Sequence, residues 1–136
     1  MNNAYPESFI EDILSEIKTI AVVGASSKKD RDSYKVMQSL IENGYKVFPI
    51  NPNESGKNIL NLECLPNLDA VKENIDMVDI FRKHEAVMDI AKDAIKVGAK
   101  VLWMQEGIIH HEAANLATSA GLRVVMDRCP KKELIK

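Results

Sequence analysis

Residues able to do chemistry gather in five short polar segments of this 136-residue chain, each directly after an apolar run. Gly24-Ala25-Ser26-Ser27 leads through Lys28, Lys29 and Arg31 to Ser33 and Tyr34 after the first run. Asn51-Pro52-Asn53 follows the second, Arg82-Lys83-His84 the third, Gln105-Glu106-Gly107 the fourth and Asp127-Arg128-Cys129-Pro130 the fifth. The first segment is the most informative. Gly24 allows a sharp turn and a close approach of backbone to ligand. Ser26 and Ser27 add hydroxyl and amide donors, while Lys28, Lys29 and Arg31 concentrate positive charge. Where such a loop runs into a helix, the free N–H groups and the dipole favour an anion. The combination suits a phosphate or pyrophosphate; the alternative is a solvated basic loop with Ser33 as helix cap.

Two familiar phosphate signatures are missing. A dinucleotide fingerprint needs Gly-x-Gly-x-x-Gly, and serine, lysine and aspartate replace the later glycines. The second apolar run ends in Pro49-Ile50-Asn51-Pro52 rather than in an acidic residue for an NAD ribose. No Gly-Lys-Ser/Thr closes a P-loop. Ordinary NAD binding and P-loop hydrolysis are disfavoured, yet the loop still suits a phosphate-bearing nucleotide.

These segments need a scaffold that brings them to one edge. Ile20–Val23, Lys46–Ile50, Met77–Phe81, Lys100–Met104 and Arg123–Met126 are continuous apolar runs rich in β-branched residues. Continuous rather than alternating hydrophobicity predicts strands covered on both faces, as in a parallel sheet. Helical spacing lies between them. Val36, Leu40 and Ile41 form one stripe, Val87, Ile90, Ala91, Ala94 and Ile95 a second, and Ala113, Ala114, Leu116 and Ala117 a third. Asn43-Gly44, Gly98 and Gly121 supply left-handed helix ends. Residues 1–18 read as an amphipathic helix leading into the first strand. Between Pro52 and Pro66 the pattern allows a turn at Gly56-Lys57 and a short extra strand at Ile59-Leu60, with a short helix from Pro66 to Val71. The prediction is a doubly wound α/β fold, three layers around a mainly parallel five-stranded sheet, over a single domain 1–136. Such sheets bind ligands outside the carboxyl ends of their strands.

Other candidates are weaker. Cys129, flanked by Arg128, Lys131 and Lys132, is the one nucleophile beside the expected site. It is a possible redox thiol, or a small residue packed before Pro130. Cys64 reads as packing, Trp103 and Met104 as core. Asp79 lies inside an apolar run and needs a partner such as Arg82 or backbone donors. His84 is expected to cap the helix after the third strand, and His110-His111 to cap or flank the next. No catalytic constellation and no metal site can be placed.

With 18 Lys+Arg against 20 Asp+Glu and 46% hydrophobic residues, the chain is near neutral and rich enough in apolar residues to build a core. That argues against nucleic-acid binding by bulk electrostatics and against a disordered or membrane-spanning class. A reduced, cytoplasmic protein is the expectation, with self-association or a protein partner left open.

The loops together resemble a family. Gly24-Ala25-Ser26-Ser27 with Arg31, Ser33 and Tyr34, then Val47-x-Pro49-x-Asn51-Pro52, then Asp76-x-Val78-Asp79-x-Phe81-Arg82, are similar to stand-alone CoA-binding domain proteins. Trp103-x-Gln105-x-Gly107 and Val125-Met126-Asp127-Arg128-Cys129-Pro130-Lys131 extend the likeness over residues 7–133. These proteins are relatives of the nucleotide-binding domain of the succinyl-CoA synthetase α chain. The resemblance implies a Rossmann-like domain that binds coenzyme A or an acyl-CoA. It implies that Gly24, Ala25, Ser26, Ser27, Arg31, Ser33 and Tyr34 hold the phosphates, with Ile50, Asn51 and Pro52 beside the adenosine. Phe81 and Arg82 would line the next wall, with Gln105, Glu106, Gly107 and Arg128 towards the pantetheine arm or the open end. The larger ligases also need a phosphohistidine domain, for which this chain has no room, so a non-catalytic binding, sensor or carrier module is expected. An NAD(P)-binding enzyme or regulator with an atypical loop is the alternative.

Overall fold

The apolar runs form the middle layer of the computed structural model, which describes residues 5–135. Seven strands occur among the described residues: β1 (Thr19–Val23), β2 (Lys46–Ile50), β3 (Asn58–Ile59), β4 (Leu62–Glu63), β5 (Met77–Ile80), β6 (Val101–Met104) and β7 (Arg123–Val125). Five of them make one parallel sheet in the order β2-β1-β5-β6-β7. Every residue of β5 and β6 is buried, as strands covered on both faces require. In the central register Val22 pairs with Asp79, and Asp79 with Trp103.

Helices α1 (Glu7–Glu16), α2 (Asp32–Glu42) and α5 (Pro130–Leu134) cover one face, where Ile13, Met37, Leu40 and Trp103 are fully buried. Helices α3 (His84–Lys96) and α4 (His111–Ser119) cover the other through Val87, Ala91, Ala94, Ala113 and Ala117. The small alanines let these two helices approach the sheet closely. Trp103 anchors the opposite layer, its indole Nε1 donating to the Arg128 carbonyl at 2.8 Å. Burying a side chain of that size contributes on the order of 5 kcal/mol. The expected three-layer, doubly wound Rossmann-like architecture is therefore present. The part of the expected N-terminal helix at residues 1–4 lies outside the described residues.

Local details correct the sequence reading. The Pro52–Pro66 stretch forms an antiparallel hairpin, β3 with β4, rather than one extra strand. It turns through Leu60 and Asn61, with φ of 52° and 66°. Leu65 then runs along the edge of β2, its amide donating to the Pro49 carbonyl at 2.9 Å. The helix expected from Pro66 shrinks to one 3₁₀ turn, Leu68–Ala70, because the Asn67 side chain caps it by accepting from the Ala70 amide. Ser33 is not a cap either. Arg31 is the last extended residue, two positions before the expected cap, so α2 starts at Asp32 and Ser33 is buried in its first turn. Lys83 likewise takes the N-cap position of α3. His84 instead bonds the Ile109 carbonyl at 3.0 Å and stacks on His110, ring centroids 4.3 Å apart. His110 does cap α4, accepting from the Ala113 amide.

Asp79 is the largest departure. Neither carboxylate oxygen has a hydrogen-bond partner among the described residues, and the group is fully buried. Arg82, the partner expected from sequence, is exposed. Burial pushes the Asp79 carboxyl well above the usual range, which favours its neutral form.

Candidate functional site

Strand order reverses between β1 and β5, and the loops leaving those strands meet there. Phe81 donates its amide to the Val23 carbonyl at 2.8 Å, which draws the β5 exit against the β1 exit. Gly24, at φ +95°, turns the chain between them; a Cβ there would lie 2.4 Å from the Phe81 carbonyl oxygen. Only glycine fits this contact. On the other side, Gly24 and Ala25 both donate to the Ile50 carbonyl, at 2.9 and 3.2 Å. Asn51 completes the clamp, its Nδ2 donating to the Ala25 carbonyl at 2.8 Å and its Oδ1 accepting from the Asn53 amide. Three strand exits are thus locked into one rigid edge.

Two adjoining cavities open on that edge. The first, about 220 Å³, is lined by Gly24, Ser26, Arg31, Asp32, Ser33 and Phe81. Here α2 begins with Arg31 at the N-cap position, and no side chain caps the helix among the described residues. Its first-turn amides therefore remain available to an anion, with the dipole behind them. The second cavity, about 430 Å³, lies between α2, α5 and the exit of β6. Asp32, Lys35, Gln105, Glu106, Cys129 and Lys132 are among its lining residues. Asp32 lines both, so the two adjoin at the start of α2.

Charge is arranged unevenly around these openings. Lys132 bonds both oxygens of Glu106, at 2.9 and 3.0 Å, and those contacts hold its ammonium above the ordinary lysine range. In the first loop, the Glu54 carboxylate accepts from both the Ser27 hydroxyl, at 2.7 Å, and the Ser27 amide, at 3.0 Å. These bonds, with one from Lys57, pull the Glu54 carboxyl down to about 2. Glu54 thereby takes the donors of Ser27 that the sequence assigned to a phosphate.

The remaining expected residues sort by role. Gly24, Ser26, Arg31, Ser33 and Phe81 meet in the first cavity, and Gln105, Glu106 and Cys129 in the second. Ala25 and Ile50 are buried backbone supports, and Tyr34 packs against the core. Pro52 starts a 3₁₀ turn, the Arg82 stem lies 3.1 Å from where a Cβ on Gly24 would sit, and the Gly107 amide donates to Asp127 at 2.7 Å. Arg128 bonds Glu133 at 3.2 Å and lies over the Tyr5 ring; it is not among the residues lining either cavity. Sequence reasoning missed Asp32, Lys35 and Glu54. Lys35 was within reach, since it follows Arg31 by one helical turn. Glu54 was not, because its contact spans a fold-dependent distance along the chain. Among the described residues no three His, Cys, Asp or Glu side chains gather as a metal site, and no helix is long and apolar enough to cross a membrane.

A doubly wound sheet with an uncapped helix start, serine donors and an arginine at its switch point defines a Rossmann-like domain with a candidate phosphate site. The chain belongs to the CoA binding domain family, which it matches over residues 18–135. It is 34% identical to YneT of Bacillus subtilis, covering 90% of this chain and 89% of that one. The structure of a hypothetical protein from Pyrococcus horikoshii superposes with a TM-score of 0.91 at 39% identity, covering 96% and 91% of the two chains. The ADP-forming acetate–CoA ligase II of Archaeoglobus fulgidus is 29% identical over 85 residues, 61% of this chain but only 12% of that enzyme.

Proposed function

We propose that the chain binds coenzyme A or an acyl-CoA at the C-terminal edge of its sheet, as a non-catalytic binding, sensor or carrier module. The observation that carries this reading is the uncapped start of α2, set beside Arg31, Ser26 and Ser33 in one cavity at the switch point. Helix amides, two hydroxyls and a guanidinium are the donor set a pyrophosphate requires. Ser26 accepts from the Lys28 amide at 3.1 Å, which leaves its own proton free to donate. Family membership favours coenzyme A over other nucleotides. The reading as a binding module draws on the histidines: His84 and His110 stack on each other and bond backbone groups, so their rings serve the scaffold.

Calorimetry with coenzyme A, acetyl-CoA, NADH and NADP tests the assignment. Coenzyme A is expected to bind and the dinucleotides are not. Binding of NADP without coenzyme A would replace this reading by the atypical dinucleotide one. Arg31→Ala removes a charge-assisted contact worth about 1.5–3 kcal/mol, so affinity should fall about ten- to hundredfold while the fold is kept. Unchanged affinity would remove Arg31 from the site.

A further inference from the structure

The second cavity holds chemistry that phosphate docking does not use. Cys129, only 6% exposed, forms part of its wall. Gln105, equally buried, lines the same space, and its Oε1 has no hydrogen-bond partner among the described residues. An amide oxygen left unpaired is costly to bury; Oε1 itself has no accessible surface, so a turn of the Gln105 amide would bring it to a donor on an incoming group. The pantetheine arm of coenzyme A carries amide N–H groups and ends in a thiol. Because Asp32 lines both cavities, a ligand held by its phosphates in the first can extend an arm past Asp32 into the second. That arm would meet Gln105 and then Cys129.

Resting on the coenzyme A reading, we propose that Cys129 is a covalent docking site that forms a mixed disulfide with coenzyme A by exchange with its oxidised, disulfide form. Cys129 gives its proton to solvent, and Sγ attacks one sulfur of the disulfide. The S–S bond breaks, an Sγ–S bond forms, and the second coenzyme A leaves as a thiolate that takes up a proton. The disulfide is the oxidant: Cys129 is oxidised and the departing sulfur reduced. Cys64 is a poor competitor. It is fully buried, its Sγ lies 3.6 Å from the Asn51 carbonyl oxygen, and burial pushes its thiol up.

The test is intact-protein mass spectrometry of the whole chain after exposure to coenzyme A disulfide, with peptide mapping. One coenzyme A adduct is expected on Cys129, removed by dithiothreitol. It should form about tenfold or more faster than the adduct from oxidised glutathione, because the bound nucleotide raises the local disulfide concentration. Excess acetyl-CoA, which has no free thiol, should slow it. Cys129→Ser should abolish the adduct and Cys64→Ser retain it. Should Cys129→Ser fail to fold, protection of the unmodified chain by acetyl-CoA decides the matter. An adduct on Cys64, equal rates with both disulfides, or no adduct would overturn the proposal. Calorimetry with acetyl-CoA separates the failures: binding without adduct removes the covalent site alone, and no binding removes the coenzyme A reading with it.

Discussion

Replacing Gly24 by alanine probes the contact on which the site is built. Two costs combine there. The φ of +95° is strained for any residue with a side chain, at about 1–2 kcal/mol. The added Cβ would also lie 2.4 Å from the Phe81 carbonyl oxygen and 2.9 Å from its carbon. Both are backbone atoms, and Phe81 is held to Val23 by a 2.8 Å bond, so the exits of β1 and β5 must separate. Forced overpacking of this kind costs about 1–3 kcal/mol more. Gly98 isolates the first cost: its φ is +81°, and nothing lies within 4 Å of its virtual Cβ. Gly98→Ala should therefore lose about 1–2 kcal/mol, and Gly24→Ala about 2–5 kcal/mol. Urea unfolding followed by circular dichroism measures both, provided the slopes stay equal. Coenzyme A affinity should fall in Gly24→Ala and hold in Gly98→Ala, since only the former displaces Ser26 and Arg31. Equal losses of stability would refute the idea of a rigid contact between the two loops.

Asp79→Asn should flatten the dependence of stability on pH. Above the ordinary aspartate pKa, near 4, the unfolded chain releases a proton that the folded chain retains. Stability of the parent protein should thus be greatest below that pH and fall as pH rises towards the raised folded value, by up to about 1.4 kcal/mol per unit. Urea midpoints from pH 4 to 7 check this, and parallel profiles for parent and variant would contradict it. Glu54→Gln keeps an acceptor for Ser27 but removes a negative charge beside the candidate phosphate loop. Coenzyme A should bind more tightly by calorimetry, with the gain shrinking at high salt; weaker binding would make Glu54 a support of the loop instead.

How far the sequence could be read depends on which residues carried the signal. The sheet was legible because burial on both faces removes polar residues from whole runs, and Val101–Met104 has no other reading. The two-residue strands of the β3–β4 hairpin were not, since so short a segment has no period. Caps failed for a different reason. Ser33 is a better capping residue than Arg31, but the cap falls where the backbone leaves the extended region, and the β1 loop makes that turn at Arg31. The site was half legible. Local loops announced Gly24, Ser26 and Arg31, whereas the Glu54 contact with Ser27 depends on how the loop after β2 folds back.

Gly24, Gln105 and Asp79 each break a local rule, and their exposure separates their meaning. Gly24 tolerates no side chain, Gln105 leaves Oε1 unpaired, and Asp79 leaves two oxygens unpaired. Violations that persist in an otherwise consistent sequence tend to mark functional sites. Gly24 and Gln105 fit that rule, since each lines a cavity at the C-terminal edge. Asp79 does not open on either cavity. It is sealed in the sheet between Val22 and Trp103, with no exposed surface for a ligand to touch. Its cost therefore falls on stability, and a change there should move the pH profile while coenzyme A affinity stays constant. A loss of affinity in Asp79→Asn at unchanged stability would mean that the middle of the sheet is coupled to the loop edge.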